Sequence, residues 1–123
     1  MGCYYVQDAA SMLPAELFTA HDAPLTLDLA AAPGGKSVQI GLRLDGRGTL
    51  ISMDCWRDRM PSPEENLRRF KLGGDARAEL GDARRTPLSE IGGQAFDRIL
   101  LDVPCSNTGV QRRRADASPF LLA

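Results

Sequence analysis

Two short stretches of this sequence combine residue types that bind ligands or form covalent bonds. The first is the run AAAPGG at residues 30–35, which Lys36 follows. Glycines let the backbone turn sharply and approach a ligand, and the start of a following helix offers N–H groups and a positive dipole to an anion. The second is DVPCSNTG at residues 102–109, where Cys105 follows a proline. A cysteine in an Asp-x-Pro-Cys setting indicates a reactive thiol rather than a structural one.

Three aspartates end apolar runs, where they can accept hydrogen bonds from a ligand. Asp54 is suited to both hydroxyls of a ribose, Asp82 to an adenine amino group or equally to a turn, and Asp102 begins the second stretch. Asp28 lies inside a run and is interpreted as fixing loop backbone, while Trp56 either stacks on adenine or covers the sheet edge. Neither G-x-G-x-x-G nor G-x-x-x-x-G-K-[ST] occurs, which favours a nucleoside ligand without a pyrophosphate over NAD or ATP.

The aspartates can meet only in a fold that brings the strand ends together. The sequence predicts such a fold, because predicted strands alternate with predicted helices. Apolar runs predict four strands, the third the weakest and the last the strongest, over residues 25–29, 49–53, 76–80 and 96–101. Parallel strands need crossover connections and have both faces covered. Their carboxyl ends share one edge, where ligands bind. We therefore expect the glycine-rich run and the three strand-end aspartates to meet there.

Helices are predicted between these strands and before the first. Residues 37–44 alternate as a strand would, but they follow a glycine turn and precede another strand, which favours a crossover helix. The next helix is predicted to start with Ser62 as N-cap, Pro63 at its first position and Glu65 closing a capping box. A helix over residues 8–20 is predicted from apolar residues on one face, Met12, Leu13, Leu17 and Phe18.

Composition excludes several classes of protein. The chain has 123 residues, 43% of them hydrophobic and 25% charged, with a net charge of −1, so no global basic field is present. Cys3, Cys55 and Cys105 are too few and too far apart for a disulfide framework or a zinc site, and the first two are interpreted as apolar filler. No apolar run is long enough to cross a membrane. These features predict a reduced, cytoplasmic protein without membrane or metal partners.

The two stretches resemble the signature motifs of a known enzyme family. AAPGGKS at residues 31–37 and DVPCSNTG at residues 102–109 look like those of the RNA 5-methylcytosine methyltransferases, the Fmu/NOL1/NOP2/Sun or RsmB/RsmF-like family. YVQDAAS at residues 5–11 is similar to the segment that precedes the first strand in that family, and residues 66–69 and 81–82 also fall where its pattern places them. The resemblance covers nearly the whole chain, as the N-terminal part of a catalytic domain.

The resemblance implies an α/β fold of the Rossmann-like class I methyltransferase type, here truncated after about four parallel strands. Residues 1–24 are expected to form a helical lead-in and residues 25–123 the cofactor-binding half of the sheet. The implied activity is S-adenosylmethionine-dependent methylation of cytosine C5 in ribosomal or transfer RNA. The implied contacts of S-adenosylmethionine are Ala30, Ala31, Ala32, Pro33, Gly34, Gly35, Lys36, Asp54, Asp82 and Asp102.

The catalytic roles are also implied by resemblance. In this family a cysteine in a later Thr-Cys motif attacks cytosine C6, and the cysteine that matches Cys105 helps release the product. In the related DNA cytosine methyltransferases a Pro-Cys at this strand end supplies the nucleophile instead, but Ser106–Gly109 fits the RNA family better. No cysteine follows Cys105 within the 123 residues, so we expect the isolated chain to bind cofactor without turnover.

Two alternatives stay open at this stage. The chain is either a piece of the enzyme or a non-catalytic nucleotide- or RNA-binding module that keeps the fold. Three consecutive cations near the end either contact RNA phosphates or form a solvated face, namely Arg112, Arg113 and Arg114. The oligomeric state does not follow from the sequence.

Overall fold

Strands and helices alternate along the chain, as the sequence predicts. A computed structural model describes residues 4–18, 25–72, 75–92 and 95–103. Its helices are α1 (Ala9–Glu16), α2 (Gly35–Leu44), α3 (Pro61–Phe70) and α4 (Leu88–Ile91), with a 3-10 helix at Arg57–Arg59. Its strands are β1 (Leu25–Asp28), β2 (Thr49–Asp54), β3 (Asp75–Leu80) and β4 (Arg98–Leu100).

The four strands form one parallel sheet in the order β3-β2-β1-β4. The order reverses at β1, because β2 and β3 extend the sheet to one side and β4 pairs on the other. Such a reversal opens a crevice beyond the carboxyl ends of the strands. The α/β fold class is therefore confirmed, and the ends of β1, β2 and β4 border that crevice.

The predicted strengths of the last two strands were wrong. β3 has six residues and pairs with β2 along its whole length, from Thr49 with Asp75 to Asp54 with Leu80. β4 has only three residues, although its apolar sequence looked strongest. Among the described strands β4 pairs with the short β1, at three positions, and this limited pairing explains the difference.

Helix α2 confirms the choice of a crossover helix at the ambiguous segment. Val38, Ile40 and Leu44 are buried, whereas Leu42 is 54% exposed. Ile40 and Leu44 share one helical face with the buried Ser37 and Gly41. The exposed Leu42 lies away from this face and completes the misleading alternation.

The apolar face predicted for the first helix was wrong. Leu13 is 65% exposed and Leu17 is 80% exposed, while Ala15 is the buried residue of α1. The helix has only eight residues and ends at Glu16, while Asp8 caps its start by accepting a 2.9 Å hydrogen bond from the Ala10 N–H. It contacts α2 through Ala15 and through polar bonds of Glu16 rather than through an apolar stripe.

The predicted N-cap of α3 was also wrong. The helix begins at Pro61, and its N-cap is Met60, which makes no side-chain capping bond. Met60 already has helical backbone angles because the 3-10 helix leads directly into α3. Pro61 needs no N–H partner at that position, so Ser62 lies inside the first turn rather than before it.

In the described part of the chain, the core consists of two apolar clusters, one on each face of the sheet. Leu50 faces α2 and α3, and its chain neighbour Ile51 faces α4. Helices therefore cover both faces, as expected for a parallel sheet. None of the helices in the described ranges is long and apolar enough to cross a membrane. The two clusters consist of Ala15, Ile40, Leu44, Leu50, Leu67 and Leu100 on one side, and Leu27, Ile51, Met53 and Ile91 on the other.

Candidate functional site

A polar cavity of about 250 Å³ lies at the end of β1, against the first turn of α2. Its charged groups are one ammonium and two carboxylates, those of Lys36, Asp28 and Asp102. Gly35 at the start of α2 also lines it, so the cavity lies at the helix N-terminus, where the first N–H groups have no partner within the helix. Such a cavity offers complementary partners to a ligand that carries both an ammonium and a carboxylate group.

The turn into α2 depends on Gly34, which has a φ of +104°. This is a left-handed conformation that side chains other than glycine rarely adopt. A Cβ atom at Gly34 would also lie 3.1 Å from the Cα of Pro63 in α3. Asn66 of α3 fixes the same turn by donating a 2.8 Å hydrogen bond to the carbonyl oxygen of Pro33. Gly34 therefore faces α3 and lines neither cavity, in contrast to the other residues of the turn.

Lys36 and Asp102 connect the helix start to the end of β4. Lys36 Nζ lies 2.6 Å from Asp102 Oδ2, and the Lys36 side chain is only 18% exposed. A pair at this distance fixes both side chains at the cavity wall. It also brings the glycine-rich turn and the second sequence stretch into direct contact.

Asp28 lies beneath the first turn of α2 and is 1% exposed. Its Oδ2 accepts a 2.7 Å hydrogen bond from Ser37 Oγ, and the Ala30 N–H also donates to the carboxyl group. Burial raises the pKa of Asp28 from 3.8 to about 6, against the opposing effect of these bonds and of Lys36. The interpretation that Asp28 fixes loop backbone is consistent with these contacts.

A second cavity of about 150 Å³ lies on the other side of Ala30, at the ends of β2 and β4. Its wall is largely apolar, with Leu29, Leu101 and Val103 among its residues. Carboxylates stand at the ends of the strands that border it. A flat apolar group with polar edges, such as a nucleoside, matches this combination. The carboxylate residues of this cavity are Asp54 and Asp82.

Asp54 ends β2 and is 3% exposed. One carboxylate oxygen accepts from the Ala32 N–H at 3.1 Å, and the other accepts from the Trp56 N–H at 3.0 Å. Arg59 lies alongside, donating a 2.7 Å bond from Nη2 to the Ala32 carbonyl oxygen, with its Nη1 4.0 Å from Asp54 Oδ2. Both backbone groups of Ala32 are thus fixed by side chains of the second cavity. A carboxylate accepts about four hydrogen bonds, which leaves capacity for ligand hydroxyls.

Asp82 is held by its own neighbour. Arg84 donates from its backbone N–H and Nε to Oδ1, both at 3.0 Å, and from Nη2 to Oδ2 at 2.8 Å. These bonds with Arg84 lower the pKa of Asp82 to about 2. A ligand amino group at this carboxylate has to use the remaining lone pair on Oδ2 or displace Arg84.

Two residues after β2 form the rim of the second cavity. Trp56 is 62% exposed, so it covers little of the sheet edge, and it lines the second cavity. Cys55 is an exposed free thiol, and its interpretation as apolar filler was wrong. Across the described residues, no group of three or more histidine, cysteine, aspartate or glutamate side chains is arranged to hold a metal ion.

The structure brings most of the predicted ligand residues together. The two cavities share Ala30 and are lined by predicted residues from the glycine-rich run and from the ends of β2, β3 and β4. Cys105 and Arg112, Arg113 and Arg114 lie outside the described residues. The predicted residues that line the cavities are Ala30, Ala31, Ala32, Pro33, Gly35, Lys36, Asp54, Asp82 and Asp102.

Sequence reasoning missed two contributions to the site. Tyr5, Gln7 and Ser11 line the first cavity, although only their resemblance to a family segment had marked them. Arg59 lines the second cavity, although Pro61 and Pro63 early in the following helix left its position near the ligand open in the sequence. Neither the residues before β1 nor Arg59 belongs to a sequence pattern whose chemistry alone would predict contact with a ligand.

Known proteins resemble this chain in sequence. The family model for 16S rRNA methyltransferase RsmB/F matches residues 15–119. The chain is 44% identical over 115 residues to ribosomal RNA small subunit methyltransferase B of Vibrio vulnificus. The aligned segment covers 94% of this chain and 26% of that protein. The chain thus spans about a quarter of the length of the curated relatives that it matches.

Solved structures are similar as well. NSun6 from Pyrococcus horikoshii, solved with SFG, superposes with a TM-score of 0.71 at 34% identity, over 85% of this chain and 26% of that one. A methyltransferase homolog protein from the same organism gives a TM-score of 0.73 at 28% identity, over 91% of this chain and 35% of that one. The family model covers most of the chain, and the fold is that of the similar solved structures. The chain therefore belongs to the RsmB/F family of 16S rRNA methyltransferases.

Proposed function

We propose that this chain provides the S-adenosylmethionine site of an enzyme that methylates C5 of cytosine in RNA. One observation carries the proposal: a cavity lined by Lys36, Asp28 and Asp102 and a largely apolar cavity lined by Asp54 and Asp82 meet at Ala30. S-adenosylmethionine has this same division, with an amino acid on one side of its sulfur and adenosine on the other. The related NSun6 structure, solved with SFG, supports the family's use of such a site.

The residues at each end have distinct roles in this proposal. Lys36 and the first turn of α2 bind the carboxylate of the amino acid, and Asp28 or Asp102 accepts from its ammonium group. Asp54 accepts from the ribose hydroxyls, and Arg59 keeps Ala32 and Asp54 in place. Asp82 accepts from the adenine amino group. When bound, S-adenosylmethionine supplies an electrophilic methyl group.

Reaction at cytosine C5 follows from the family motif around Cys105. A cysteine thiolate adds to C6 of cytosine, and C5 then becomes nucleophilic towards the methyl group. A base removes the C5 proton, and loss of the thiolate from C6 restores the ring. We assign product release to Cys105 and the attacking thiol to a Thr-Cys pair, which the 123 residues do not contain. Arg112, Arg113 and Arg114 are proposed to contact RNA phosphates.

Cofactor binding is tested by calorimetric titration with S-adenosylmethionine. Asp54→Ala is expected to weaken binding at least about tenfold, because it removes a buried carboxylate that accepts from the ribose. Asp58→Ala is the matched control, since Asp58 is an exposed aspartate four residues away. Thermal melting of both variants checks folding. If folded Asp54→Ala binds as tightly as the native chain, the assigned site is wrong.

Turnover is tested separately with labelled S-adenosylmethionine and ribosomal RNA. The 123-residue chain is expected to bind cofactor and to transfer no methyl group, because it contains no Thr-Cys pair. Methyl incorporation at C5, lost in Cys105→Ser, would instead make Cys105 the nucleophile. Incorporation at another ring position would contradict the proposed chemistry.

A further inference from the structure

Residues 4–8, here called the strap, cross the N-terminus of α2 and close one side of the first cavity. A Cβ atom at Gly35 would lie 2.8 Å from Tyr5 Cε1 and 3.0 Å from Gln7 Oε1. The strap therefore packs directly on the turn that begins the helix. Tyr5, Val6 and Gln7 all line the cavity, and none of them lines the second one.

The strap is held from outside the cavity by α3. Arg69 Nη2 donates a 2.6 Å hydrogen bond to the carbonyl oxygen of Tyr4. The same guanidinium lies 5.4 Å from the centre of the Phe70 ring, and the Tyr5 ring packs 6.5 Å from that ring at an angle of 56°. Arg69 itself lines neither cavity.

The other end of the strap is fixed to α1. Gln7 Nε2 donates a 3.2 Å bond to the Ser11 carbonyl oxygen, and Asp8 caps the helix. The strap is thus stretched between two helices and spans the cavity wall between them. At the end near α3, the charge-assisted hydrogen bond from Arg69 and the contact between the Tyr5 and Phe70 rings hold the strap.

We propose that Arg69 is a positioning residue for the cofactor, which holds the strap against the amino-acid end of S-adenosylmethionine. The inference rests on the proposed function. The proposed effect concerns one of the two cavities, because the strap borders the cavity that holds Lys36, Asp28 and Asp102 and does not border the second cavity. Loss of Arg69 should weaken ligands that fill that cavity and spare ligands that occupy only the nucleoside cavity.

The test compares two ligands in calorimetric titrations of the 123-residue chain. S-adenosylhomocysteine fills both cavities, whereas 5′-methylthioadenosine has the same adenosine and sulfur but lacks the amino acid. Arg69→Met keeps the aliphatic stem and removes the guanidinium. It is expected to weaken S-adenosylhomocysteine about three- to tenfold and 5′-methylthioadenosine less than about twofold.

Arg68→Met is the matched control on the same helix. Arg68 pairs with Glu65 at 2.6 Å, and both side chains are largely exposed, so the native affinities for both ligands should be retained. Equal losses of both ligands in Arg69→Met, or no loss of either, would overturn the inference. If Arg69→Met fails to fold, Arg69→Gln takes its place: a selective loss of S-adenosylhomocysteine supports the inference, and unchanged affinity for both ligands refutes it.

The outcomes also separate the inference from the proposed function. If the native chain binds neither ligand, the proposed function fails, and the inference falls with it. If the native chain binds both ligands and Arg69→Met binds them equally well, only the inference fails.

Discussion

At the scale of single residues, Asp28 carries the clearest consequence for stability. It is 1% exposed, its carboxyl group bonds to Ser37 and Ala30, and Lys36 and Asp102 are the charged groups nearby. Burial raises its pKa to about 6 in the folded chain, so between pH 3.8 and about 6 the folded state binds more protons than the unfolded state. The protonated carboxyl therefore contributes stability that is complete below pH 3.8 and is lost as the pH rises through about 6.

Asp28→Asn should remove this pH dependence. We expect the free energy of unfolding of the native chain to fall by roughly 2–3 kcal/mol between pH 4 and pH 7 relative to Asp28→Asn, whose amide does not titrate. Urea unfolding at a series of pH values measures the difference, in which the other titrating groups cancel. The control Asp58→Asn should keep the native slope. Parallel curves for the native chain and Asp28→Asn would contradict the assignment.

Residue types at the site were largely predictable, because their chemistry is visible in sequence. The glycine-rich run and the strand-end aspartates followed from motif and position, and all but Gly34 line a cavity. What sequence could not supply was the partner of each side chain. Nothing in the pattern pairs Arg84 with Asp82, or brings Arg59 back to Ala32 across 27 positions of sequence.

At the scale of elements, burial and pairing decided the cases where local pattern was wrong. The segment Val38–Leu44 reads as strand or helix until the crossover requirement is applied. The length of β4 depended on how much of β1 was available to pair, which apolar content does not encode. The start of α3 depended on the turn before it, so a good local capping sequence at Ser62 was not used.

β4 also has an exposed flank that should promote self-association. It is the outermost strand on its side among those described, and its Ile99 is 47% exposed. An unpaired apolar edge is a template for pairing with another chain, and a charge on the edge suppresses this. Ile99→Lys should therefore reduce concentration-dependent association of the isolated chain, as measured by sedimentation velocity.

Leu42→Lys is the comparison for this edge effect. Leu42 is 54% exposed but lies on α2, so adding a charge there removes a similar apolar surface without touching a sheet edge. We expect it to leave association close to the native level. Similar effects of the two substitutions would mean that general surface hydrophobicity, rather than the edge of β4, drives association.

At the scale of the whole molecule, the site belongs to no single element. The first cavity is formed by the strap, α1, the end of β1, the turn into α2 and Asp102. The second is formed by the ends of β1, β2 and β3 together with Leu101 and Val103 after β4. Ala30 is the position where the two meet. A ligand that spans both cavities therefore ties together segments distant in sequence, which couples binding to the folding of the whole chain.

This coupling predicts a large thermal shift with an intact ligand and a small one with its parts. S-adenosylhomocysteine at about 100 times its Kd should add about 2.7 kcal/mol of stability, which corresponds to a rise in Tm of about 10 °C for a chain of this size. Adenosine and methionine together, at the same concentrations, should give a much smaller rise, because two separate molecules each lose translational freedom on binding. Differential scanning calorimetry measures both shifts. If adenosine alone reproduced the full shift, the polar cavity beside Lys36 would have no part in the site.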